Sequence, residues 1–174
     1  MVCALALLLP GSLPGQTPNV EYRIKAAYIF NFAKFVTWPS VAFAAPEAPI
    51  VIGILGKDPF GAELDQTVAG KAIEKRQLVV KRLTEADSWE GCHILFVASS
   101  ERRRLPQILE KLGTASVLTV GEAEGFTEGG GMVQFVQHEN NIRFEINLAA
   151  AEAARLKISS KLLQVATVRG KASK

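Results

Sequence analysis

The chain has 174 residues, of which 48% are apolar and 21% charged, and its net charge is +3. That length supports one domain with a full core, and that composition excludes a disordered chain. With 20 basic residues set against 17 acidic ones and no concentrated basic face, nucleic acid is not an expected partner.

The first element is the apolar run Val2 to Leu9, followed by PGSLPGQTPN. A bilayer span needs about 20 residues, so this run is too short to cross one. It suits the central segment of a secretory signal peptide, although no Lys or Arg precedes it. Cleavage is expected between Gly11 and Asn19. The domain reading is therefore a signal peptide over 1–18, a single α/β domain over 19–168 and a flexible tail over 169–174. Cys3 precedes the apolar run, which argues against a lipoprotein anchor, and it would leave with the signal. Cys92 then stands alone, so no intramolecular disulfide is expected even in an oxidising compartment.

From Val20 to Trp38 the spacing of Ile24, Tyr28, Phe32 and Phe35, with Ala27 and Val36 beside them, predicts an amphipathic helix. Asn19 is its expected N-cap and Pro39 stops it. Glu21, Arg23, Lys25 and Lys34 form the expected polar face, too weakly basic for a membrane-surface helix. Strands follow at Pro49–Gly56, Arg76–Leu83, Cys92–Ser99 and Ser116–Glu122, the first and third being continuous apolar runs of the kind covered on both faces. A short helix is expected over Phe60–Thr67. A longer one ends at Gly113, with Leu105, Ile108, Leu109 and Leu112 as its stripe. Buried strands alternating with helices predict an α/β domain with a Rossmann-like sheet.

The pattern changes after Gly129–Gly131, which lets the chain turn. Val133 and Phe135 alternate in one run, and Ile142, Phe144 and Ile146 in the next, around a turn at Asn140-Asn141. This hairpin makes the sheet mixed. Asn147 is the expected cap of a helix over Leu148–Arg155, and Ser159 or Ser160 the cap of a last helix ending at Ala166.

The sequence assigns no catalytic residue, metal ligand or cofactor. The two histidines, His93 and His138, join no cluster with metal-ligand spacing. Cys92 and His93 are strand neighbours and point to opposite faces, so they do not form a catalytic pair. GILGKDPFG lacks both the dinucleotide fingerprint and the phosphate-loop pattern. Ser99-Ser100 lacks the nucleophile elbow. Arg102 to Arg104 read as a solvated face. Because α/β sheets take ligands at the carboxyl ends of their strands, Lys57, Asp58, Ser99 and Ser100 are the expected ligand-binding residues should the domain bind a small molecule.

The ordered set IKAAYIFNFAKFVTWP, IGILGKDPFG, CHILFVASSE, LTVGE and FEINLAAAEAARLKISSKLLQVA resembles the YfiR-type (YfiR/HmsC-like) family, from about Glu21 to Val168. The resemblance implies a periplasmic repressor and no enzyme. Its partner would be the periplasmic sensor domain of an inner-membrane diguanylate cyclase, whose inhibition lowers cyclic di-GMP and biofilm formation. An outer-membrane lipoprotein can sequester such repressors, and the family fold commonly forms a homodimer. Some members carry disulfides and respond to redox state, which a chain with only Cys92 does not match. Within this reading Phe144, Glu145 and Ile158 are the expected partner-binding residues, with Ile158 exposed between two helices.

Overall fold

A computed structural model describes residues 20–84, 89–139 and 141–169. The expected signal peptide, the Asn19 cap and the Asn140 half of the hairpin turn lie outside these residues. The chain opens with helix α1 (Val20–Phe35) and runs directly into β1 (Val36–Thr37). The central strands are β2 (Ile50–Leu55), β4 (Arg76–Leu83), β5 (Ile94–Val97), β6 (Leu118–Gly121), β7 (Val133–His138) and β8 (Asn141–Asn147). Two short strands, β3 (Ala72–Ile73) and β10 (Thr167–Arg169), flank them. The helices between are α2 (Ala62–Val68), α3 (Leu105–Leu112), α4 (Leu148–Ala153) and α5 (Ser160–Leu163), with β9 (Lys157–Ile158) separating the last two.

The large sheet runs β10-β8-β7-β6-β5-β2-β4-β3. Strands β4, β2, β5, β6 and β7 are parallel neighbours, whereas β8 is antiparallel to β7 and β3 to β4. From β2 the chain crosses through α2 to β4 on one side, then returns to place β5 on the other. The sheet is therefore doubly wound, and its direction of winding switches between β2 and β5. It is the mixed α/β sheet flanked by helices that the sequence predicts.

Each face of the sheet has its own core. On one face α1, α2, α4 and α5 contribute Ala26, Ile29, Phe32, Leu64, Ala151 and Leu162 to a cluster with Ile52, Phe96, Phe135 and Phe144. On the other, Leu105, Ile108 and Leu112 of α3 pack on Leu55, Leu95 and Val97. Rings of Tyr28, Phe32, Phe135 and Phe144, with centroids 5.1–6.3 Å apart, fasten α1 to the β7–β8 hairpin.

Several local expectations need correction. The buried stripe of α1 is Lys25, Ala26, Ile29, Phe32 and Ala33, rotated from the expected one so that Ile24 is 41% exposed. Lys25, expected in solvent, is 4% exposed. The break KISS contains β9, which pairs antiparallel with β1, Val36 against Ile158. Asn147 and Ser159 do cap α4 and α5, accepting from the Ala150 and Lys161 amides, but both helices are shorter than expected. Arg169, where the sequence reading starts the tail, ends β10 and is ion-paired to Glu128 at 2.8 Å and Glu145 at 2.6 Å. Gly131 does more than permit a turn. Phe126 is fully buried beside it, and a Cβ at Gly131 would lie 2.2 Å from the Phe126 ring.

Candidate functional site

The first two turns of α1 carry Glu21, Tyr22 and Lys25, whose side chains meet the carboxyl ends of β5 and β6. Lys25 Nζ pairs with Glu21 one turn earlier and, at 2.6 Å, with Glu122 immediately after β6. Tyr22 donates its hydroxyl to both oxygens of Glu122 at 3.2 Å. Ser99, just past β5, donates to Glu122 Oε1 at 3.0 Å. Glu122 thus accepts from three side chains and Lys25 lies between two carboxylates. The ammonium also stands 4.6 Å from the centroid of the Tyr22 ring. Burial, then the Glu122 charge, pushes the Tyr22 hydroxyl far above its ordinary value, so it is a fixed donor at neutral pH.

These groups line a half-open pocket of about 290 Å³, completed by Phe135, Val136, Gln137 and Ile142 of the hairpin. The hairpin reaches this far because β7 continues well past its last pairing with β6, at Gly121–Gln134. The pocket therefore sits at the carboxyl end of the parallel strands, next to the point where the winding switches. Its walls hold fixed charges and hydroxyls with their partners already in place. That arrangement suits recognition.

The switch point itself is filled. The Lys57 amide donates to Ser100 Oγ at 3.0 Å, joining the loops after β2 and β5. Asp58 accepts from the Phe60 amide at 2.7 Å and from Arg82 Nε at 3.0 Å. Arg82 also grips Asp65 of α2, and that hydrogen bond holds the Asp65 carboxyl below its usual range. Glu101, 8% exposed, accepts from Ser100 and Arg104 beneath Gly56. The four expected ligand residues thus come together, but only Ser99 reaches the open pocket. Glu21, Tyr22, Lys25 and Glu122 were not singled out as site residues. The signal present was the Glu21–Lys25 spacing of four and an acid directly after a buried strand.

A second pocket of about 250 Å³ lies at the opposite, amino end of the sheet. Trp38, Phe43, Ile50 and Arg76 are among its walls, with Lys34 of α1 and Glu74 of the β3–β4 turn at its rim. His93 stands behind it. As the neighbour rule requires, Cys92 packs into the α3-side core and His93 faces the other way, under Phe43. Cys92 is buried, and desolvation pushes its thiol up.

The three expected partner-binding residues do not share one surface. Phe144 is 1% exposed within the aromatic cluster. Ile158, expected exposed, is half-buried against the same core, because β9 draws it onto β1. Glu145 points away from that core and takes Arg169, with Thr127 Oγ1 at 3.4 Å. Burial of Phe144 follows from the alternation that put Ile142, Phe144 and Ile146 on one face.

Among the described residues no group of three or more His, Cys, Asp and Glu side chains could hold a metal ion. No helix among them is long and apolar enough to cross a membrane. A family model described as YfiR/HmsC-like matches residues 22–167 of the chain, from the start of α1 to β10. A search of curated proteins gives no match.

Proposed function

The chain belongs to the YfiR/HmsC-like family, and from that membership we propose that it is a periplasmic regulator of cyclic di-GMP signalling that works by binding. In this reading it docks on the periplasmic sensor domain of an inner-membrane diguanylate cyclase and holds the enzyme inactive, lowering cyclic di-GMP and biofilm formation. A second copy of the chain and an outer-membrane lipoprotein are its further partners. The observation that carries the reading is the extent of the family match, which spans both cores and the sheet up to the first residue of β10.

The surface at the β8–β10 edge is where we place the partner. Glu145, Arg169 and Glu128 form an ion-pair cluster there, with Arg169 and Glu128 side chains 48% and 53% exposed. Phe144 supports this surface from the core, and Ile158 packs against the same core where β9 pairs with β1. The carboxyl-end pocket favours a second reading, a small-ligand sensor, since a recognition pocket at that end of a doubly wound sheet is where ligands bind. The two roles are compatible.

The test is cellular cyclic di-GMP in the native host with the gene deleted and restored. A rise on deletion, reversed by the exported protein, supports the repressor. An unchanged level rules it out for this chain and leaves the sensor reading, which ligand-dependent thermal stabilisation would then examine.

A further inference from the structure

The segment from Pro39 to Ala48 bridges β1 and β2 without long regular structure, containing only a 3-10 turn at Ser40–Ala42. Two side chains fasten it. Arg76 Nη1 donates to the carbonyls of Ala45 at 3.2 Å and Ala48 at 2.7 Å and lies 3.6 Å over the Phe43 ring. Phe43 in turn stacks on His93, centroids 4.3 Å apart and planes 21° from parallel. On the imidazole, Nε2 lies 3.2 Å from the Ala42 carbonyl and Nδ1 accepts from the Val51 amide at 3.1 Å.

That last bond has a particular role. The His93 amide donates to Val51 O at 2.8 Å, yet β5 pairs with β2 only from Ile94 onward. The His93 ring supplies the acceptor that the Val51 amide would otherwise take from a strand. With Nδ1 accepting, the proton must sit on Nε2 and point to Ala42. One neutral tautomer therefore completes the β2–β5 ladder and holds the segment at the same time. Trp38 closes the arrangement, donating Nε1–H to His93 O at 3.0 Å.

We infer that His93 is a proton-operated latch: the neutral ring fastens the 39–48 segment to the amino end of β2, and protonation at Nδ1 releases it and opens the pocket bounded by Trp38, Phe43 and Arg76. A proton on Nδ1 turns its acceptor into a donor facing the buried Val51 N–H. It also adds a positive charge behind Phe43, opposite Arg76. The other charges around this end are Lys34 on α1, Glu47 in the segment, Glu74 in the β3–β4 turn and Arg155, which lines a pocket with Ala42 after α4. None of them hydrogen-bonds the ring, whose two nitrogens are taken by Val51 and Ala42. Burial, opposed by the Ala42 bond and aided by Arg76, lowers the affinity of the ring for a proton. The closed form is thus at full strength above the ordinary value of about 6.5 and weakens as pH falls below it. One proton is involved, so the open population rises at most about tenfold per pH unit.

The experiment follows the His93 imidazole by NMR from pH 7.5 to 4, together with Trp38 fluorescence in a Trp89→Phe background and far-UV circular dichroism. The expected result is a Trp38 transition that coincides with the His93 titration, falls below the ordinary imidazole value of about 6.5 and leaves the dichroism unchanged. In His93→Asn, whose side-chain oxygen can accept from Val51 without titrating, the transition should vanish. Val51 amide exchange in the unmodified chain should accelerate across the same interval relative to Ile54, which keeps the question decidable should His93→Asn fail to fold. The latch is overturned if Trp38 stays still while His93 titrates, if His93 takes up no proton above pH 4, or if Trp38 and the dichroism change together as one unfolding step. Persistence of the transition in a folded His93→Asn protein would also overturn it.

Discussion

Replacing Lys25 by Met removes the cation between Glu21 and Glu122 while keeping a chain of similar length against Tyr22 and Phe135. The two ion pairs are unequal. The Glu21 side chain is 42% exposed, so its link to Lys25 is worth no more than about 1 kcal/mol. Glu122 is only 12% exposed, and losing its partner leaves a nearly buried carboxylate short of a counter-charge, which costs about 3–5 kcal/mol. The Tyr22 and Ser99 hydroxyls still donate to it, which favours the lower end. Urea unfolding of K25M, E122Q and the double variant measures this directly. We expect K25M to lose about 3 kcal/mol, E122Q less because Glu21 still holds the ammonium, and the double variant clearly less than the sum of the two. A K25M loss below about 1 kcal/mol, or strict additivity, would show that Lys25 and Glu122 are not coupled as a buried pair.

Three further outcomes follow from the packing. Gly131→Ala drives a methyl group into the Phe126 ring and should cost about 2–3 kcal/mol, read as a thermal midpoint lower by about 2–4 °C per kcal/mol. Arg155, two residues past the end of α4, has φ of 61°; its amide donates to the Glu152 carbonyl and the Leu156 amide donates back to that of Ala151. This is a helix stop that favours glycine, so Arg155→Gly should stabilise by about 0.5–1 kcal/mol in chemical denaturation. Cys92, buried against Gly53, should resist a thiol reagent in the native protein and react at once in denaturant; rapid native labelling would contradict its burial.

The parts of the fold legible in the sequence are those where one physical signal dominates. Continuous apolar runs mark β2 and β5 because both faces of those strands are covered. Alternation marks β8, and Asn147 marks the start of α4, because a side chain caps what it precedes. The stripe of α1 was misplaced for a definite reason. A lysine reads as solvated unless its counter-charges are known, and one of those, Glu122, is 97 residues away. Taking Lys25 as outward turned the whole helix and brought Ile24 inward. Strand β9 was hidden in the same way, since its two residues become a strand only because β1 lies opposite. The loops after β2 and β5 are legible as loops, but the pocket beside them is not, because its walls come from α1, β6 and the hairpin together.

The contacts of α1 also bear on the order in which the chain can become solid. Tyr28 donates to the Ile142 carbonyl across 114 residues, its ring packs on Phe144, and β1 has no strand to pair with until Ile158 exists. Helix α1 can pack early on α2, but its contacts with the hairpin and with β9 form only once those later strands exist. Loop closure over such distances is slow, so the seating of α1 is completed only after the carboxyl-terminal strands are made. Helix α1 thereby stays incompletely anchored while the chain is still being made.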